Sequence, residues 1–259
     1  MENRRFDIRK SLLRALFASL CGVSANAMAT EQYPCKPAPD EGRFAWGRIQ
    51  SIDPNYLVKR ILGPYTFKIP YGYMIGRPTP ERLNCYPKQN RLEFAFWMPD
   101  FRAPKKDMWS EPNYRVHEPG RDAPGPQEYV VDVVGLEFIE TKAGKSGSPG
   151  RRFVNGLALL RKDFRIEETY GLIHVVPGQN TPLSDDYVSL SNEGYEILLE
   201  CSRPESRDSN PSCKAYLYFT DLQLEAVMQF PADALPEWQK IKDGVRILVE
   251  RWIVKEKPT

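Results

Sequence analysis

The stretch Arg91-Leu92-Glu93-Phe94-Ala95-Phe96-Trp97-Met98-Pro99-Asp100-Phe101-Arg102-Ala103-Pro104 decides how this chain is read. Large apolar side chains fall at alternate positions, which is the period of a strand. Leu92, Phe94, Phe96 and Met98 share one face, and Glu93, Ala95 and Trp97 share the other. Pro99 has no N–H to donate and ends the ladder. So aromatic a strand predicts a sheet centre, with the flanking segments as its neighbours.

Outward from it, Tyr65 to Pro70 alternates in the same way and also ends in proline, while Tyr71 to Asn90 is loop by its Gly, Pro and Asn content. Glu128 to Thr141 is strand again. Lys142 to Arg152, KAGKSGSPGRR, has the composition of a linker. Beyond it, Tyr170 to Pro177 predicts a strand, Gly178 to Asp186 a loop, Tyr195 to Ser202 and Lys214 to Thr220 a hairpin, and Leu222 to Phe230 a further strand, together an antiparallel meander. The last element is a helix from Pro231 to Val254. Leu235, Trp238, Ile241, Val245, Leu248, Val249 and Trp252 recur at three and four residues and form one apolar stripe, with Asp233 as its expected cap. The expected class is α+β: mainly antiparallel sheets in two sub-lobes, 30–141 and 153–259, joined by 142–152, with the helix packed on the second sheet.

The first 29 residues are expected to be a cleaved leader. Arg4, Arg5, Arg9, Lys10 and Arg14 precede an apolar run from Ala15 to Val23, and Ala27-Met28-Ala29 supplies small residues for cleavage. The run is too short and too weakly apolar to span a membrane, so stable membrane insertion is not expected. Arg9 to Arg14 loosely resembles a twin-arginine signal with Lys in second place, although general secretion is the better fit. Leu20 before Cys21 argues against a lipoprotein box. Without the leader's five basic and two acidic residues, 36 Lys and Arg become 31 and 34 Asp and Glu become 32, a formal charge of about −1. No basic stripe then remains to hold nucleic acid. These features predict an exported, periplasmic protein.

Cysteine usage agrees. Cys35, Cys85, Cys201 and Cys213 remain after cleavage, and an even count in an oxidising compartment predicts two disulfides. Of three possible pairings, Cys201 with Cys213 is favoured because it closes the polar loop Ser202 to Ser212 between two strands; Cys35 then ties the Pro-rich arm to Cys85. A metal site is not expected, since Cys-x-x-Cys spacing is lacking and neither histidine lies near a cysteine.

Catalytic patterns are sparse. The two histidines, His117 in a loop and His174 within an apolar strand, have no metal-ligand spacing, and His174 is expected to be a satisfied core residue. Gly144-Lys145-Ser146-Gly147-Ser148 misses both the serine-hydrolase elbow and, with Ile139 in place of the leading glycine, the phosphate loop. Carboxylates at Asp185-Asp186, Glu167-Glu168 and Asp100 could serve a hydrolase only if the fold sets two of them face to face. Neither catalytic residues nor a cofactor are expected.

Recognition is the remaining chemistry. The Pro-rich segment Lys105 to Gln127 carries Asp107, Met108, Trp109, Tyr114 and Arg115, a mixture enriched at binding hot spots. Asp185, Asp186 and Tyr187 form a smaller acidic counterpart in the second half. Against this stands the plainer expectation that Trp109 and Tyr114 cover a sheet edge.

Phe67-Lys68-Ile69-Pro70-Tyr71-Gly72-Tyr73, followed by Phe94 to Pro104 after an export signal, resembles exported immunity proteins of type VI secretion systems, particularly those against phospholipase effectors of the periplasm. The resemblance covers about residues 65–104. It implies a non-enzymatic protein whose partner is a cognate toxic effector, inhibited by occlusion of its active site. An exported carboxylate-dependent hydrolase and a periplasmic small-ligand or envelope-binding module are the alternatives.

Overall fold

The computed structural model describes residue 35 and residues 52–76, 78–79, 82–105, 114–118, 120–140, 165–176, 184–189, 194–203 and 210–254. The expected leader 1–29, the linker 142–152, and Asp107, Met108 and Trp109 lie outside the described residues.

Two antiparallel sheets and one C-terminal helix make the fold, which is α+β. The strands are β1 (Leu57–Leu62), β2 (Tyr65–Pro70), β3 (Leu92–Met98), β4 (Tyr129–Phe138), β5 (Arg165–Thr169), β6 (Leu172–Val176), β7 (Ser184–Ser189), β8 (Tyr195–Ser202), β9 (Ser212–Phe219) and β10 (Leu224–Pro231). β1 and β2 form a hairpin; the other eight form one sheet in the order β3-β4-β10-β9-β8-β7-β6-β5. A 3-10 segment, Ala232–Glu237, leads into helix α1, Trp238–Trp252.

β3 alternates as its sequence dictates but lies at one edge of the eight-stranded sheet, flanked by β4 alone, and not at its centre; its aromatic side chains are buried from above and below the sheet rather than between strands. Leu92, Phe94, Phe96 and Met98 enter the main core, and Ala95 and Trp97 join Val116 and Val130 in a smaller cluster on the opposite face. α1 buries Trp238, Ile241, Val245, Leu248, Val249 and Trp252 against the main core. Fully buried side chains of this size contribute roughly 1.5–3 kcal/mol each, against about 0–1 kcal/mol for an exposed ion pair. Helix-on-sheet packing therefore dominates the stability.

Three further expectations change. β4, which precedes 142–152, pairs along its length with β10, which follows it. The parts 30–141 and 153–259 thus share one sheet, because an apolar β4 needs a partner on both edges and finds β3 on one and β10 on the other. The helix accordingly lies over strands from both parts: Trp252 packs edge-on against Phe94 and Tyr73, each with ring centroids 5.0 Å apart, and Trp238 sits beside Tyr195. Second, Asp233 makes no capping hydrogen bond and its segment is 3-10, with Pro236 inside it. Third, Tyr170 does not lie in a strand but forms, with Gly171, the two-residue turn of the β5–β6 hairpin, at φ 55° and 72°.

The small hairpin is tied beneath the helix end, where Val254 N donates to Thr66 O (2.8 Å) and the Tyr65 hydroxyl to Leu222 O (3.0 Å). Both expected disulfides are formed. Cys201 and Cys213 are directly opposed on β8 and β9, Cα atoms 4.0 Å apart, and Cys35 joins Cys85. Among the described residues no helix is long and apolar enough to cross a membrane.

Candidate functional site

Antiparallel register places directly opposed residues on one face of a sheet. Glu167 of β5 opposes His174 of β6, which opposes Tyr187 of β7, which opposes the core residue Leu199 of β8. Asp185, two residues before Tyr187, shares that face and opposes Cys201. The helix side of the sheet therefore continues, on β5 to β7, as a polar surface.

Its members touch. The His174 ring stacks on Tyr187. His174 Nε2 is 3.7 Å from Asp185 Oδ2 and Nδ1 is 4.0 Å from Glu167 Oε2. Arg203, just past β8, donates from Nε to Asp185 Oδ1 at 2.7 Å, and Arg165 Nε lies 2.8 Å from Glu167 Oε1. Burial, then the Asp185 carboxylate and Tyr170, push the Tyr187 hydroxyl up to about 12, with Arg203 opposing. Tyr187 is buried and belongs to the main core, at 8% exposed, while 13% of the His174 side chain, 20% of Asp185 and 23% of Arg203 remain exposed above it, so a partner reaches the polar members and not the phenol.

His174 is thus not a satisfied core residue, since its Nε2 is buried without a hydrogen-bond partner. Asp185 and Tyr187 are brought together, in a strand rather than a loop. Asp186 is not with them: it opposes Val175 and Glu200 on the other face. Arg203 carries no signal in the sequence, and Glu167 and His174 stand there only as an available carboxylate and an expected core residue, although a turn recognised at Tyr170-Gly171 sets Glu167 opposite His174 by counting outward.

The other expected group lies elsewhere. β10, β9 and β8 separate β4 from β7 in the sheet. Tyr114 accepts from Val130 N at 2.7 Å through its carbonyl, and its hydroxyl donates to Gln229 Oε1 at 3.4 Å. Arg115 Nη2 donates to both carboxylate oxygens of Asp233 (2.9 and 3.0 Å) and to Pro126 O (2.8 Å), with its guanidinium 5.8 Å over the Tyr129 ring. Tyr129 in turn donates to Glu237 Oε2 at 3.4 Å, and burial followed by that carboxylate raises its pKa. These contacts fasten residues 114–118 onto the body.

A buried carboxylate reinforces them. Glu118 accepts from Trp97 Nε1 (3.1 Å) and Lys105 N (2.9 Å), with Arg102 and Arg121 at 3.8 and 4.0 Å. Asp100 is engaged by Arg102 through both oxygens at 2.9 Å. Among the described residues no group of three or more His, Cys, Asp or Glu is placed to hold a metal ion.

No family model matches the chain, and no curated protein matches it. A solved structure, an immunity protein of the Stenotrophomonas maltophilia type IV secretion system, is similar over 78% of this chain and 94% of that one, at 15% identity and a TM-score of 0.49. A likeness of that degree decides neither fold nor function.

Proposed function

We propose that this chain is an exported immunity protein that binds a toxic secreted effector in the periplasm and blocks its active site, the effector being a phospholipase. The observation that carries the reading is the cluster of His174, Asp185 and Arg203 over the buried Tyr187: arginine is among the side chains in which binding energy concentrates, and here Arg203 and His174 are held on a disulfide-braced sheet, by Asp185 and by stacking on Tyr187, with little rotamer freedom left to lose on binding. The resemblance across residues 65–104 and the two disulfides, which suit an oxidising compartment, point the same way. Occlusion asks of the protein only a rigid surface of matching charge and shape. It does not require groups that stabilise a transition state.

Co-purification of the exported chain with the product of the neighbouring gene, followed by phospholipase assay of that product with and without the chain, tests the proposal. The expected result is a stable complex whose formation abolishes lipid hydrolysis. A neighbour without toxicity, or a toxic neighbour that neither binds nor is inhibited, would overturn it.

A further inference from the structure

β5 is one of the two edge strands of the large sheet, β3 being the other, and among the described residues its strand partner is β6 alone. The two-residue turn makes Thr169 and Leu172 a hydrogen-bonded pair, and antiparallel alternation then directs the backbone groups of Glu167 and Arg165 toward β6. The N–H and C=O of Ile166 and Glu168 are left pointing away from the sheet. Ile166 is also 62% exposed, and Ile173, on the same face of the hairpin, is 44% exposed. Short length and charge guard an edge against indiscriminate pairing, and β5 has three charged residues in five, so pairing here requires a register that matches opposite charges around the exposed Ile166.

We propose that the chain pairs with a second copy of itself through β5, extending the sheet across a two-fold axis at Ile166. With Ile166 opposite Ile166 of the partner subunit, the outward backbone groups of both copies form a hydrogen-bonded pair. The same register sets Arg165 opposite Glu167 of the partner subunit, and Glu167 opposite Arg165 of the partner subunit. These are non-hydrogen-bonded positions, where opposed side chains come closest and opposite charges stabilise the pair. Charge also discriminates among registers, because centring the axis on Glu167 or Glu168 would set a carboxylate against its own copy. The apolar contact reaches inward as well: Ile173 opposes Val188 on β7, and both line an open concavity of about 400 Å³ that also includes Ile166, Glu168 and Leu172. The partner subunit's Ile166 therefore meets an apolar strip. The inference rests on this edge alone and is independent of the proposed effector.

Sedimentation velocity of the purified exported chain, without any partner and across a concentration series, tests it. The expected behaviour is a reversible monomer–dimer equilibrium. Ile166→Lys should raise the dissociation constant by at least about tenfold, roughly 1.4 kcal/mol, with the melting temperature of the monomer unchanged. Arg165→Glu should weaken the dimer similarly, by opposing two carboxylates, and Arg165→Glu combined with Glu167→Arg should regain wild-type association. A chain monomeric throughout the series overturns the proposal. So does a dimer that survives Ile166→Lys, a double variant that stays monomeric while folded, or an Ile166 amide protected from exchange in the monomer, which would mean that the edge is covered by the chain's own residues.

Discussion

The imidazole of His174 lies flat on the phenol of Tyr187, ring centroids 4.4 Å apart and planes 13° from parallel, because the two residues are directly opposed on β6 and β7. Each ring fixes the other, and Asp185 and Arg203 fix the far side. If this is where the partner binds, Arg203→Ala and His174→Ala, which leave the buried Tyr187 in place, should each weaken the effector complex by on the order of 2 kcal/mol, about thirtyfold. Titration calorimetry on folded variants measures it. Wild-type affinity in both would place the interface elsewhere.

The raised Tyr187 pKa carries a pH signature. A phenol at about 12 in the folded chain, against about 10 unfolded, holds its proton more tightly when folded. Its contribution is therefore complete below about pH 10 and is lost as the pH climbs toward 12. Tyr129 shifts in the same direction. Denaturant unfolding over an alkaline pH series should show stability falling in that window, with a shallower fall in Tyr187→Phe. An equal slope in both proteins would contradict the assignment.

Trp97 and Glu118 form a buried pair whose removal should be felt. Trp97→Phe keeps much of the packing but withdraws the indole N–H from a carboxylate that is only 3% exposed. The expected cost is about 2 kcal/mol or more, since a buried charge loses a donor. Glu118→Gln, which accepts the same bond without the charge, should cost less. Guanidine unfolding of the two variants gives the comparison.

Gly244 sets the spacing between α1 and β3. A Cβ there would come within 2.7 Å of Phe101 Cε1 and 3.2 Å of Phe96 Cε2. Helix propensity alone favours Gly244→Ala by about 1 kcal/mol. Overpacking costs about 1–3 kcal/mol and should outweigh it, so the expected sign is net destabilisation. A higher melting temperature for Gly244→Ala would show that the Phe101 ring yields freely.

Arg115 is held by Asp233 and the Pro126 carbonyl, which changes what its truncation should do. Arg115→Ala is expected to lower stability by about 1.5–4 kcal/mol, the sum of one exposed ion pair and one charge-assisted hydrogen bond, with little effect on effector affinity. Asp233→Asn should produce part of the same loss. Unfolding and binding measured on the same preparations separate the two roles.

What could be read in advance follows period. β3 and α1 were legible because Phe94, Phe96 and Met98 repeat at two residues and Trp238, Ile241, Val245, Leu248 and Trp252 at three and four. β5 was not: Arg165-Ile166-Glu167-Glu168-Thr169 has a single apolar side chain, as suits an edge. The turn beside it was hidden too, because Tyr170 adopts a positive φ that Asn or Gly would have advertised. The candidate site was half legible. Asp185 and Tyr187 were singled out, but His174 and Glu167 join them only through a register that the missed turn sets. Arg115 was singled out for its chemistry, and its partner Asp233 lies 118 residues away, beyond any local pattern.

The pairing of β4 with β10 also dictates when the molecule becomes complete. Between Phe138 and Leu224 the chain must traverse every strand of the meander before the two can zip together. Contacts so distant in sequence form late and slowly. A nascent chain that lacks β10 and α1 holds β4 with one edge open and the faces of Phe94 and Phe96 uncovered, so β10 must close that edge and α1 must cover those faces before the fold is stable. Severing the chain anywhere between β4 and β5 should accordingly yield two fragments that depend on each other to fold.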